Sequence, residues 1–217
     1  MGHLIDLDRW PRRATWEFFL GFEDPWFNLT AEIDVSATRE WCRDSGASFS
    51  LACWFAVARA CEEVPALGQR LRAEGVWQHD RLRVGATVLK DDDSFVYVYF
   101  PSSDDFATFE AEAGDEMDRR LMATALEPHS DDDDLLYCTT IPWVRFTGIK
   151  HARQGGGLDS VPRIAVGRAT DTPEGCMMPI SVEAHHALVD GLHIGQFLEE
   201  LEALLASPED TFADPLD

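Results

Sequence analysis

Apolar and polar positions alternate at two periods along this chain, and the changes of period outline its elements. From Phe49 to Leu71 (FSLACWFAVARACEEVPALGQRL) apolar residues recur at helical spacing, with Ser48 or Ser50 placed to start the helix. Pro65 is expected to kink or split it. VWQHDRLRVGATVLK predicts two strands around a turn, and SFVYVYF (Ser94 to Phe100) a β-rich run with aromatics on alternate positions. Phe106 to Met122 predicts an acidic amphipathic helix. LLYCTTIPWVRFTGI carries β-branched and aromatic residues around Pro142, which predicts a strand near an edge or a bulge. PRIAVGRAT and CMMPISVEAHH predict two strands joined by the turn DTPEG. Beyond them, Ile194, Phe197, Leu198, Leu201, Leu204 and Leu205 mark one helical face. Helices and strands are mixed without a regular βαβ rhythm. The expected fold is therefore α/β, an α+β two-layer sandwich with a mixed, largely antiparallel sheet covered by helices. No internal repeat and no Gly/Ser- or Pro-rich linker divides the 217 residues, so one domain over 1–217 is expected.

Composition allows a real core, with 45% apolar and 11% aromatic residues. No run of about 18 apolar residues predicts a membrane span. The opening MGHLIDLDRW has neither a basic nor an apolar leader region, so a cytoplasmic domain is expected. Cys42, Cys53, Cys61, Cys138 and Cys176 form no CxxC pair, which predicts reduced thiols acting as small hydrophobes.

Charge changes the picture more. The formal net charge is −22, and Lys90 and Lys150 are the only lysines. Such a surface repels nucleic acid, because phosphate binding needs clustered Lys and Arg. The acidic runs Asp91-Asp92-Asp93 and Asp131-Asp132-Asp133-Asp134 (after Ser130) lack the spaced ligands and central Gly of a calcium loop, and each reads as a solvated face. Over the whole chain, a lysine-poor acidic surface suits a cytosol at high salt, where screening removes self-repulsion.

The candidate chemistry lies in SVEAHHALVDGLHIGQFLEELEALL, Ser181 to Leu205. Side chains alternate across a strand, so Met178, Ile180, Val182, Ala184 and His186 are expected on one apolar face, and Ser181, Glu183 and His185 on the other. His186 is then the histidine in the drier place, kept neutral and basic as a general base requires. The same pattern also fits a satisfied core histidine. A two-histidine metal site is disfavoured, because adjacent strand residues point apart.

HHALVDG followed by a Leu-rich helix resembles the trimeric, coenzyme A-dependent chloramphenicol acetyltransferases. HHxxxDG also occurs in plant acyltransferases, in condensation domains and, in related form, in 2-oxo acid dehydrogenase cores. Three further segments narrow the choice: IDLDRWPRRATWEFF resembles that family's start, FNLTAEIDVSA its first full strand, and TTIPWVRFTGI its Ser-x-x-Pro-Trp-Val segment. The resemblance is collinear from about Ile5 to about Leu205.

The resemblance implies direct acetyl transfer from acetyl-CoA to a small-molecule hydroxyl, without a metal. It makes His186 the general base, and Asp190 the partner of Arg12, with Arg13 or solvent as the alternative. Thr139 would be the oxyanion donor, where the family has serine. Phe19, Phe27, Phe95, Tyr137 and Trp143 would wall the acceptor pocket, each with core packing as its alternative. Coenzyme A would meet Arg168 and the basic neighbourhood of Arg145, Lys150 and Arg153. GGG at 155–157 is not a phosphate loop and reads as a flexible turn. The implied assembly is a homotrimer with active sites between subunits. Two rivals share these residues: an acyltransferase for an endogenous or natural-product alcohol or amine, and an inactive trimeric binding module.

Overall fold

Ser48 accepts the Leu51 amide and so starts a helix whose buried residues (Leu51, Trp54, Phe55, Val57, Cys61 among them) lie on nearly all sides. This is α3 of the computed structural model, which describes residues 2–123, 132–153 and 158–213. Ser130 and Asp131 of the second acidic run, and GGG at 155–157, lie outside the described residues. In chain order the elements are β1 (Gly2–Leu4), α1 (Arg13–Phe19), β2 (Trp26–Asp34), α2 (Ser36–Ser45), α3 (Phe49–Glu63), β3 (Gln69–Arg72), β4 (Gly75–His79), β5 (Arg83–Leu89) and β6 (Phe95–Tyr99). Then follow α4 (Phe106–Leu121), β7 (Leu135–Ile141), β8 (Arg163–Gly167), β9 (Thr170–Thr172), β10 (Gly175–His185), α5 (Gly191–Ala206) and α6 (Pro208–Phe212).

The main sheet runs β2-β10-β8-β7-β5-β6, with β9 paired to β10. Its pairs are antiparallel except β5–β7 and β7–β8, so the sheet is mixed and largely antiparallel as expected. One face is apolar. Cys138, Ile164, Val166, Ile180, Val182 and Ala184 are buried there with residues of α3 and α5, including Phe55, Phe197 and Leu201. The opposite face carries Tyr137, Thr139, Arg163, Ser181, Glu183 and His185, by the alternation of the same strands. Of these, Arg163, Ser181, Glu183 and His185 are buried.

Three local expectations are corrected. Pro65 ends the long helix; a 3₁₀ turn (Pro65–Gly68) and β3 replace its last turns. Arg70 anchors that extended segment, donating to the carbonyls of Leu67, Gln69, Asp133 and Leu135. Secondly, β4 and β5 are strands but not a hairpin. β4 pairs with β1 and β3 in a separate three-stranded sheet, while β5 crosses to the main one. The Leu82 amide between them is held by the Glu62 carboxylate at 3.0 Å. Thirdly, β7 lies inside the sheet between β5 and β8, so Pro142 marks the end of a central strand. Proline has no N–H to continue the ladder, and the pairing stops at Ile141.

No helix among the described residues is long and apolar enough to cross a membrane.

Candidate functional site

Strand β10 ends at His185 because the chain turns there: the amides of Leu188 and Val189 both return to the His185 carbonyl at 3.0 Å. His186 therefore stands in the turn rather than on the apolar strand face with Ala184, which corrects the parity expectation. The drier histidine is His185, only 6% exposed. Burial pushes its pKa down to about 4. Its Nδ1 accepts the Ala187 amide at 3.2 Å, and its ring meets Trp26 edge-on at 5.6 Å.

His186 is half-buried between aromatics. Phe19 stacks on it at 4.1 Å with the rings 15° apart, and Phe27 lies at 4.7 Å. Its amide donates to Pro25 O at 2.7 Å, and its Nδ1 sits 3.1 Å from Val189 O. A carbonyl can only accept, so Nδ1 carries the proton of the neutral ring and Nε2 keeps the lone pair. The fold thus selects the tautomer with a basic Nε2.

Asp190 shapes this turn from below. It is the N-cap of α5 and accepts the Leu192 amide at 3.1 Å, while its own amide donates to His193 Nδ1 at 3.1 Å. Arg12, just before α1, reaches Asp190 with Nη1 at 2.5 Å and His186 O with Nη2 at 3.5 Å. Arg13 takes no part; it pairs with Asp8 and Glu17. Burial is the largest single influence on the Asp190 pKa and raises it, but the Arg12 hydrogen bond, the nearby His193 and Arg12 charges and the Leu192 amide together outweigh it and hold the carboxyl below its usual range.

Thr139 is half-buried on β7 and lines a cavity of about 650 Å³ together with Tyr137, Tyr97, His151 and Arg163. Its register partner is Ala165, which is opposite Ser181 on β10. His186 lies two strands away and five residues further along, so within one chain the two residues are separated by roughly 15–20 Å. The five proposed aromatic walls divide accordingly. Phe19 and Phe27 touch His186, and Tyr137 lines the Thr139 cavity. Phe95 (45% exposed) and Trp143 (62%) stand on the surface. A single chain does not bring the five together.

The basic neighbourhood is largely engaged with carboxylates. Arg145 binds Glu32 through Nε at 2.6 Å and Nη2 at 2.8 Å, and Lys150 is 3.3 Å from Asp24. Arg153 bridges Asp24 at 2.8 Å and Glu183 at 3.1 Å. Arg168 is exposed on the rim of a smaller cavity of about 190 Å³ that also includes Ser50, in the first turn of α3, and Thr140.

The polar sheet face holds functional candidates that the sequence reading passed over. Glu183, 2% exposed, accepts the His151 amide at 3.1 Å and faces His151 Nδ1 at 3.4 Å. The guanidinium groups of Arg153 and Arg163 both lie over Trp26, each 4.8 Å from a ring centroid. The Ser181, Glu183, His185 alternation was the available signal for Glu183. Nothing in the sequence marks His151.

Among the described residues, no group of three or more His, Cys, Asp or Glu side chains is arranged to hold a metal ion. Comparison with known proteins agrees with the fold. The family described as chloramphenicol acetyltransferase matches residues 2–202. A chloramphenicol acetyltransferase of Streptomyces acrimycini is 29% identical over 209 residues, covering 94% of each chain. One from Staphylococcus aureus is 25% identical, covering 95% of this chain and 96% of its own. A solved chloramphenicol acetyltransferase superimposes with a TM-score of 0.87 at 27% identity, over 94% of this chain and all of that one. The catalytic core of the 2-oxoacid dehydrogenase complex from Thermoplasma acidophilum shares the fold, with a TM-score of 0.64 at 18% identity.

Proposed function

The chain belongs to the chloramphenicol acetyltransferase family, and on that premise we propose that it transfers the acetyl group of acetyl-CoA to a hydroxyl of chloramphenicol or a similar small molecule. The observation that carries this reading is the state of His186. Its Nδ1 is occupied by Val189 O at 3.1 Å, two aromatic rings fix its plane, and Nε2 is left as the base. Nε2 removes the proton of the acceptor hydroxyl as that oxygen attacks the thioester carbonyl. The Thr139 hydroxyl donates to the oxyanion, and His186 returns its proton to the departing thiolate. Arg12 and Asp190 hold the turn that carries His186 and move no proton themselves.

The separation of His186 from Thr139 supports a site built from two copies of the chain. A donor and a base must both lie within about 3 Å of the reacting atoms. Exposed apolar side chains occur on both sides: Phe18, Leu20 and Phe22 beside His186, Trp143 and Val144 two to five residues past Thr139 and Ile141. Two different patches that meet across copies form a heterologous contact, and closure of such contacts makes a ring. A homotrimer, with His186 of one copy facing Thr139 of the next, fits this requirement. Arg168, near the first turn of α3, is the basic group least engaged with carboxylates in that region, and would face the phosphates of coenzyme A.

The test is thiol release from acetyl-CoA in molar KCl with chloramphenicol and a panel of alcohols and amines. Wild type should turn over and His186→Ala should not, with its far-UV spectrum unchanged. A wild type that neither turns over nor is thermally stabilised by acetyl-CoA overturns the reading.

A further inference from the structure

The 13 phenylalanines and 3 tyrosines of this chain are distributed unevenly around the Thr139 cavity. Tyr97, Tyr99 and Tyr137, all of the tyrosines, line it, and no phenylalanine does. Its aromatic walls therefore carry hydroxyl groups. Its charged walls are already matched. Arg70 is engaged with backbone carbonyls, and Asp133 lies between Arg72 at 2.8 Å and His79 at 2.9 Å. Asp132 pairs with Arg83 at 2.7 Å, and Asp159 with Arg163 at 2.6 Å. A charged ligand would have to break one of these pairs to gain a counter-ion, whereas a neutral one need not.

One buried polar atom of the lining is left over. His151 Nε2 has no hydrogen-bond partner among the described residues. The opposite nitrogen, Nδ1, faces the Glu183 carboxylate at 3.4 Å, and that carboxylate is fixed by the His151 amide at 3.1 Å and by Arg153 at 3.1 Å. A carboxylate has no proton to give, so Nδ1 carries the ring proton and Nε2 is an acceptor. Burial pushes the His151 pKa down, which favours this neutral form. An orphaned buried acceptor is costly; Nε2 is shielded from solvent in the free chain, so a ligand donor meets it as the ring, part of the cavity lining, turns toward the bound molecule.

We infer that His151 recognises the acyl acceptor, its Nε2 accepting a hydrogen bond from a second donor group on a neutral, multiply hydroxylated molecule. The inference rests on the proposed function in taking the Thr139 cavity as the acceptor site. The hydroxyl that reacts lies toward Thr139, and a second hydroxyl reaches His151. Specificity of this kind is a matter of pairing: a ligand without the second donor leaves Nε2 unsatisfied.

The experiment uses the full-length protein with acetyl-CoA and neutral acceptors bearing one, two or several hydroxyls, chloramphenicol among them, beside charged counterparts of similar size. His151→Leu should raise KM for the multiply hydroxylated neutral acceptors about three- to tenfold, the span of one hydrogen bond. Their kcat should stay within about twofold, and KM for acetyl-CoA should not move. Acceptors with a single hydroxyl should be indifferent to the substitution. His151→Gln, which keeps an acceptor atom, should fall between, and serves alone if the leucine variant does not fold. Equal KM values across the variants, or a wild-type preference for charged acceptors, would overturn the inference while leaving acetyl transfer intact. If wild type binds the acceptors by titration calorimetry without turning them over, a His151-dependent affinity still supports this inference and the proposed reaction fails. Binding of none of them overturns both.

Discussion

Arg12 Nη1 and Asp190 Oδ2 lie 2.5 Å apart although 178 residues separate them in the chain, and the turn that holds His186 is fastened between them. The pair does two jobs at one carboxylate, since Asp190 also caps α5. Asp190→Ala should lose both and destabilise the protein by about 2–4 kcal/mol, combining a cap with a partly exposed ion pair. Asp190→Asn keeps a capping oxygen and should cost less. Urea unfolding of Arg12→Leu, Asp190→Ala and the double variant measures the link. A coupling below about 0.5 kcal/mol would mean that the two residues act independently.

Thr139 offers a hydroxyl on a β-branched side chain, with χ1 restricted by the extra methyl. In the proposed role of oxyanion donor it would be worth about 10²–10³ in turnover, so Thr139→Ala should lower kcat by that factor with KM for acetyl-CoA little changed. Thr139→Ser restores the donor without the methyl, and should retain or exceed wild-type turnover. Steady-state kinetics of the three proteins decides it. An unchanged rate in Thr139→Ala removes this residue from the chemistry.

Much of this arrangement was legible in the sequence because local periodicity and local chemistry agreed. The Ser48-capped α3, the aromatic strand β6, acidic α4 and Leu-rich α5 are each announced by their own residues. What failed was information held in tertiary context. Parity puts His186 on a strand face, but two amides returning to His185 O end the strand one residue earlier. A polar strand face does not make His185 wet: Trp26 of β2 meets its ring at 5.6 Å, and only 6% of the residue is exposed. VWQHDRLRVGATVLK was legible as two strands, but not as members of two sheets, because strand pairing is non-local. The Glu183–His151 pair was invisible for the same reason: 32 residues separate its members.

Charge gives a prediction of a different kind. With a net charge of −22, most carboxylates repel one another over the surface, while the arginines are largely taken up in pairs such as Arg39–Asp171 and Arg43–Glu40. The Debye length falls from about 10 Å at 0.1 M salt to about 3 Å at 1 M. Screening should relieve the repulsion by more than it weakens the exposed pairs, which are worth little each. The thermal midpoint should therefore rise as KCl is raised from 0.1 to 2 M. A midpoint that is flat or falling would exclude a fold adapted to high salt.

His185 ties stability to pH through burial. Desolvation lowers its folded-state pKa to about 4, against about 6.5 for an exposed imidazole. Between these values the unfolded chain binds the proton and the folded one does not, so stability rises with pH across the window. Its full contribution is present above about pH 6.5, and as pH falls toward 4 up to about 3 kcal/mol should be lost. His79, His151 and His193 are shifted in the same direction, so the total slope in wild type is steeper than one residue can supply. The difference between proteins isolates His185. His185→Gln cannot titrate, and its unfolding free energy should fall less steeply between pH 6.5 and 4.5, by up to about one proton's worth of slope. Chemical denaturation at several pH values measures that slope. Parallel curves for wild type and His185→Gln would show that the ring is protonated in the folded protein, and that the buried polar face admits charge.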